Sequence, residues 1–175
     1  MPSPPADPTE NACAFCAILA GALPASLVYE DGQVIAFMDL RQAVPGHVLV
    51  VPRRHVETLF DLDEDTAAQL MRVAVRIARA ADAVFAPDGL NLWQSNRDAG
   101  GQEVPHVHLH VQPRMSGDGL MRIYPDARPP APAAREVLDA WAGRLREALQ
   151  VSATYPAAGS SSFQTGGAGP PGSKP

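Results

Sequence analysis

Apolar and polar positions trade places in two short runs on either side of Gly32, the pattern of two strands joined by a hairpin turn, so strands are predicted over residues 26–30 and 33–39. Pro45-Gly46 then opens into His47-Val48-Leu49-Val50-Val51-Pro52, an apolar run short enough for a third strand. From about residue 63 to 85 the period changes. Leu70, Ala74, Ile77, Ala81 and Val84 recur at helical spacing, while Arg72, Arg76 and Arg79 fall mainly to the other side, and Pro87-Asp88-Gly89 stops the helix. Residues 90–95 and 104–113 read as a fourth and a fifth strand around a polar, glycine-bearing loop over 96–103. Residues 13–21 suit a short helical turn. Residues 133–149 place Val137, Leu138, Trp141, Leu145 and Leu149 on one side of a second long helix, a stripe expected to pack on the domain or on a partner subunit.

These elements add up to an α+β fold: an antiparallel sheet of about five strands, one long helix packed on it, and a C-terminal helix. With 175 residues and 46% hydrophobic content, the chain suits one domain over residues 12–150. Residues 1–11 carry four prolines and little to bury, and 151–175 are dominated by Ser, Gly, Pro and Ala. Both are expected to be flexible tails.

A net charge of -5 provides no basic field for a nucleic acid polymer, so any phosphate chemistry should be local and its substrate small. No signal-peptide pattern and no apolar run of membrane-spanning length is found, so a soluble, cytoplasmic protein without membrane contact is expected. Cys13 and Cys16 are too few for a disulfide framework. Their Cys-x-x-Cys spacing suits a metal site or a redox pair, or two inert buried side chains.

The most informative segment is His106-Val107-His108-Leu109-His110-Val111. Strand side chains alternate faces, so the three imidazoles share one side at spacings of roughly 6.6–7 Å, with the apolar residues turned to the core. A row of imidazoles is costly to bury if charged and hard to explain as packing. The chain's other histidines, His47 and His55, flank the third strand, the expected neighbour of this one. Either nucleophilic chemistry or a hydrolytic zinc held by the His-x-His pair fits the spacing.

Pro105-His106-Val107-His108-Leu109-His110-Val111 resembles the signature of the histidine triad (HIT) family, three histidines alternating with apolar residues. The lead-in Asn96, Ala99-Gly100-Gly101-Gln102 and Val104 resembles the family's own. So do the block from Pro45 to Pro52 with His55 and the block Phe37-Met38-Asp39-Leu40, and the likeness covers residues 12–114 in order. It implies a HIT-like fold, a homodimer, and cleavage of a purine nucleotide at the α-phosphate, with the middle histidine, His108, as nucleophile. The substrate is a nucleoside phosphoramidate, an acyl nucleotide or a dinucleoside polyphosphate.

By the same resemblance His110 binds phosphate oxygens and His47 orients the triad, Gln102 with the backbone of Glu103 and Val104 cradles the phosphate, and Asp39 accepts from the ribose. Phe15, Phe37 and Leu40 flank the base, and Asn96 contacts ribose or phosphate. Phe37 and Leu40 are equally compatible with plain core, Asp39 with a turn residue, and Asn96 with a loop cap. Glu103 stands where phosphoramidase members often carry serine, and it suits either a general acid of raised pKa or a solvent-facing carboxylate. Likeness to zinc-containing members adds His55 and His106 to Cys13 and Cys16 as a closed, structural tetrahedral zinc site. The remaining alternatives are a nucleotide-binding signalling protein with little turnover and a zinc hydrolase ligated by His106 and His108.

Overall fold

The computed structural model describes residues 13–120 and 131–153. The chain divides into two compact units, residues 1–123 and 124–175. In the first, helix α1 (Ala14–Leu19) precedes strands β1 (Leu27–Glu30), β2 (Val34–Met38) and β3 (Val48–Pro52). Helix α2 (Glu64–Phe85), β4 (Gly89–Trp93) and β5 (Leu109–Arg114) follow. The strands form one antiparallel sheet in the order β1-β2-β3-β5-β4, the five-stranded sheet the alternation predicts.

Burial of both faces of the central strands explains why β3 reads as a continuous apolar run. Val34, Ala36, Val48 and Val50 pack with Leu70, Val73, Ala74 and Ile77 of α2. The alternate positions, Ile35, Phe37, Leu49 and Val51, pack on the opposite side with Cys13 and Phe15. Each Val, Leu, Ile or Phe among them contributes about 1.5–3 kcal/mol of burial. The two faces therefore have different tasks: the long helix closes one, and α1 with the N-terminal turn closes the other, where the histidines lie.

Helix α2 begins where Asp63 accepts a hydrogen bond from the Thr66 N–H at 2.8 Å. It ends at Ala86, which takes a left-handed conformation ahead of Pro87. The expected stripe needs one correction. Val84 is exposed and Val73 is buried in its place, while the last turn of the helix lays Phe85, not Val84, against Gly46.

The fifth strand starts later than the pattern predicts, at Leu109 rather than residue 104. The cause lies in the neighbour. Val50 pairs with Leu109, and continuing that register brings Pro52 opposite Val107. Pro52 has no N–H to give, and its carbonyl is occupied by the His106 ring at 2.9 Å. The Val107 N–H turns instead to the Val56 carbonyl at 2.7 Å. Alternation survives the loss of the ladder, because Val107 and Val111 are fully buried in the α2 core.

The second unit contains helix α3 (Arg135–Ala153), longer at its C-terminal end than the expected 133–149. In this unit taken by itself Val137, Leu138, Trp141, Leu145 and Leu149 are exposed, the apolar stripe that the spacing predicts. The tail assignments, residues 1–11 and 151–175, fall outside the described residues except for the end of α3. Among the described residues no helix is long and apolar enough to cross a membrane.

Candidate functional site

The histidine segment is fixed by its own backbone. A ring nitrogen facing a carbonyl must carry the hydrogen, so His108 donates from Nδ1 to the His106 oxygen at 2.7 Å. The neutral ring then has its lone pair on Nε2. Burial is the largest influence on His108 and holds its pKa below the usual histidine value. The backbone bond and the charges of Asp39 and Glu103 act in the opposite direction, and His47 adds to the lowering. Buried, neutral and bare at Nε2, His108 has the protonation state of a nucleophile.

His110 and His47 form a second pair. His47 Nδ1 lies 3.3 Å from the Arg41 carbonyl, so it carries a hydrogen, and its Nε2 accepts from His110 Nδ1 at 3.0 Å. Asp39 Oδ2 stands 3.8 Å from His47 Nδ1. The chain Asp39, His47, His110 leaves His110 Nε2 as its open end. Burial, then the neighbouring His108 and His47, push the His110 pKa down to about 3. A phosphate would reverse part of that by supplying negative charge.

These groups border a cavity of about 680 Å³. Phe15, Phe37, Asp39, Leu40, Glu103, Val104, His108 and His110 line it, together with Ile18, Leu23, Leu49 and Arg41. Phe15 meets Phe37 edge to face at 5.5 Å and the His108 ring at 5.1 Å, so it serves the core and the cavity wall together. Leu40 is not core: it is 99% exposed at the rim. Asp39 Oδ1 accepts from the Arg41 N–H at 2.6 Å, a turn bond that coexists with its place beside His47.

Two of the expected nucleotide contacts lie outside the lining. Asn96 accepts from the Leu59 N–H at 2.7 Å, and Gln102 accepts from Arg97 N while donating to the carbonyls of Glu57 and Val104. Both tie separate stretches of loop together. The Glu103 pKa lies below the ordinary carboxylate range because Arg41 hydrogen-bonds to it and supplies positive charge. That is the opposite of what a general acid requires.

Cys13, Cys16, His55 and His106 converge in a second cluster, with all four ligand atoms within 4.8 Å of one another. Cys13 Sγ lies 3.4 Å from His106 Nδ1, and Cys16 Sγ lies 3.3 Å from His55 Nδ1 and 3.7 Å from His106 Nδ1. Zinc bonds of about 2.3 Å to sulfur and about 2.05 Å to nitrogen at tetrahedral angles give a sulfur-to-nitrogen edge of about 3.5 Å. The donor set therefore fits zinc in both chemistry and spacing. His106 Nε2 donates to Pro52 O, which turns its Nδ1 lone pair to the cluster, while His55 Nε2 is buried without a partner. Four ligands complete the set without His108, whose Nδ1 is spent on a carbonyl. This geometry disfavours a His106–His108 hydrolytic zinc.

Three contributors carried no motif. Trp93 stacks on His110 with ring centres 4.2 Å apart and planes within 2°. It pairs with His110 across β4 and β5, so only strand register would have found it. Gln42 spans the β2–β3 connection, receiving the Gly46 and His47 N–H groups on Oε1 and donating to the carbonyls of Asp39 and His47. Arg41 reaches Glu103 across 62 residues of sequence. No local periodicity marks either residue.

A family model for the HIT domain matches residues 20–117, more than half of the chain. The protein named hit of Bacillus subtilis is 41% identical over 113 residues, 64% of this chain and 78% of its own length. An adenylylsulfatase of Arabidopsis thaliana is 32% identical over 111 residues, 63% of this chain and 56% of that protein. Among solved structures, one from Streptococcus mutans aligns with TM-score 0.68 and 36% identity over 82% of this chain and 86% of that one. A zinc-bound histidine triad protein of Mycobacterium smegmatis aligns with TM-score 0.60 and 41% identity over 67% and 86%.

Proposed function

Since the chain belongs to the HIT domain family, we propose that it is a nucleotide hydrolase or transferase that attacks the α-phosphorus of a bound nucleotide with His108. The observation that carries this is the His108 Nδ1 bond to the His106 carbonyl at 2.7 Å, which leaves Nε2 bare beside the cavity. The Nε2 lone pair forms a bond to phosphorus as the bond to the leaving group breaks, giving a nucleotidyl-histidine. Water then displaces the imidazole, releases the nucleoside monophosphate and gives its proton to solvent. His110 donates to the phosphate oxygens once the phosphate has drawn a proton onto the pair it forms with His47.

Phe15, Phe37 and Leu40 hold the base, and Asp39 accepts from the ribose. In this reading the backbone N–H groups of Glu103 and Val104 cradle the phosphate, and Gln102 braces their loop through its bonds to the Glu57 and Val104 carbonyls while Asn96 holds the Leu59 N–H. Zinc held by Cys13, Cys16, His55 and His106 would have no open position and would supply no chemistry to the reaction. Held there, it would fasten α1 to the histidine segment; the likeness to a zinc-bound relative supports the metal and the clustering of the four side chains its position. Reduced thiolates and nucleotide substrates both fit a cytoplasmic location. A homodimer across the exposed outer strand β4, with Leu90 and Leu92 accessible, completes the reading.

The test is a panel of adenosine and guanosine phosphoramidates, acyl nucleotides and dinucleoside polyphosphates, joined by adenylyl sulfate because of the adenylylsulfatase relative. His108→Ala should lower kcat by at least about a thousandfold on whichever compound is turned over, the scale of a lost nucleophile. Tight nucleotide binding with no turnover by the wild type would instead support a binding protein.

A further inference from the structure

Trp93 lies opposite His110 across β4 and β5, and its indole covers the imidazole with ring centres 4.2 Å apart and planes within 2°. The same indole meets the His47 ring at 5.5 Å and 30°, so it backs both members of the hydrogen-bonded pair. Half-buried, it joins neither apolar cluster of the sheet and takes no part in the cavity wall among the described residues. Neither core packing nor contact with a nucleoside accounts for an indole laid flat on this imidazole.

The hydrogen bonds of the pair give a π face something to do. His47 turns its Nδ1 hydrogen to the Arg41 carbonyl and receives the Nδ1 hydrogen of His110 on Nε2, so the neutral pair presents a lone pair at His110 Nε2. A lone pair repels a phosphate oxygen. The pair can donate to phosphate only after Nε2 takes up a proton, which makes the pair a cation. Few charged or titratable groups face it. Asp39 lies behind His47, 3.8 Å from Nδ1, and His108 stands beside His110 with ring centres 4.7 Å apart. Arg41 and Glu103 line the same cavity and are engaged with each other. Asp39 steadies the His47 end of the cation, and at the His110 end the negative face of the indole attracts the positive charge. His108, which must stay neutral to attack, is met instead by Phe15 edge to face, at 82°.

We infer that Trp93 is a positioning residue that acts through His110: its indole face orients the imidazole and stabilises the positive charge that the His47–His110 pair takes on when a nucleotide phosphate binds. The inference rests on the nucleotide reading proposed above and deepens it by naming a residue that sets phosphate affinity without touching the substrate. The proton comes from solvent and is held on His110 Nε2, between the ring and a phosphate oxygen. No bond between heavy atoms is made or broken in this step.

Adenosine and adenosine 5′-methylphosphate, a monoanionic diester without a good leaving group, separate phosphate recognition from nucleoside binding in the full-length protein. Trp93→Leu should raise Kd for the methylphosphate about fivefold to tenfold, the span for a cation over a partly covered tryptophan face, and leave Kd for adenosine unchanged. Trp93→Phe, with a weaker π face, should fall between. In a His110→Asn background, which cannot form the cation, the effect of Trp93→Leu should vanish. The methylphosphate should also quench Trp93 fluorescence through contact with the new imidazolium, whereas adenosine should not, and Trp141→Phe removes the other indole of the chain. Equal losses for the two ligands, an effect that persists without His110, or equal quenching by both overturns the inference. Should Trp93→Leu fail to fold, the quenching comparison in the wild type still decides. Any of those results alongside hydrolysis that depends on His108 sinks this inference alone, whereas failure to bind the methylphosphate sinks both it and the nucleotide reading.

Discussion

Gly46 is the residue on which the placement of His47 turns, and replacing it by alanine separates two physical costs. Its φ of +99° is one that side-chain-bearing residues rarely adopt, at roughly 1–2 kcal/mol. A Cβ there would also lie 2.7 and 2.8 Å from two ring carbons of Phe85 and 2.9 Å from Cγ of Pro113. Phe85 is 43% exposed at the end of α2 and has room to swing, but Pro113 is fully buried in β5 and does not. Overpacking of this kind adds about 1–3 kcal/mol, so Gly46→Ala should cost roughly 2–5 kcal/mol in total. Two glycines serve as controls. Gly101 has φ +76° with nothing within 4 Å, so Gly101→Ala registers the backbone cost alone, and Gly32 has neither burden. Urea denaturation of the three variants, read as a shift in midpoint at constant slope, gives the ranking. If Gly46→Ala costs no more than Gly101→Ala, the close approach of α2 and β5 to this turn is wrong, and with it the account of how His47 is held beside His110.

Burial keeps His110 neutral down to about pH 3 in the folded chain, whereas an unfolded histidine takes up its proton near 6.5. The contribution of this site to stability is therefore complete above about pH 6.5 and declines as pH falls toward 3, which denaturant midpoints measured across that range will record. Purified protein should carry equimolar zinc by elemental analysis. Cys13→Ser or Cys16→Ser should abolish it and cost about 2.7 kcal/mol at free zinc near one hundred times Kd. A metal-free wild type with an unchanged midpoint would count against the four-ligand set.

How far the sequence discloses this structure depends on whether the governing contact is local. Alternation in 106–111 and the helical spacing of Leu70, Ala74 and Ile77 are periodic signals, and both faces came out as read. The start of β5 was misplaced because it depends on Pro52, a residue on another strand whose effect is visible only once the register of β3 against β5 is known. Val84 was misassigned for a comparable reason: the last turn of α2 is oriented by the bare backbone of Gly46, and Phe85 fills that space. Trp93, Gln42 and Arg41 join the site through cross-strand or cross-loop geometry, and no single-chain pattern encodes it. Asn96 and Gln102 show the converse. Their motif positions were conspicuous, but their side chains are engaged with backbone groups of other loops.

His106 joins the two halves of the site through opposite ends of one residue. Its ring Nδ1 faces the cysteines and its Nε2 is anchored to Pro52, while its carbonyl holds the Nδ1–H of His108. A β-ladder would have committed backbone groups of this segment to the neighbouring strand. Opposite Pro52 the Val107 N–H bonds to Val56 instead of the ladder, and the His106 carbonyl fixes the tautomer of the next histidine on the same side. Slipping the register of the segment by one residue would invert the arrangement, because successive side chains in an extended chain face opposite ways. The imidazole would then enter the α2 core in place of Val107, and a valine would face the cavity. One residue, His106, thus has its ring anchored between Pro52 and the cysteines and, through its carbonyl, sets the tautomer of the ring that borders the cavity.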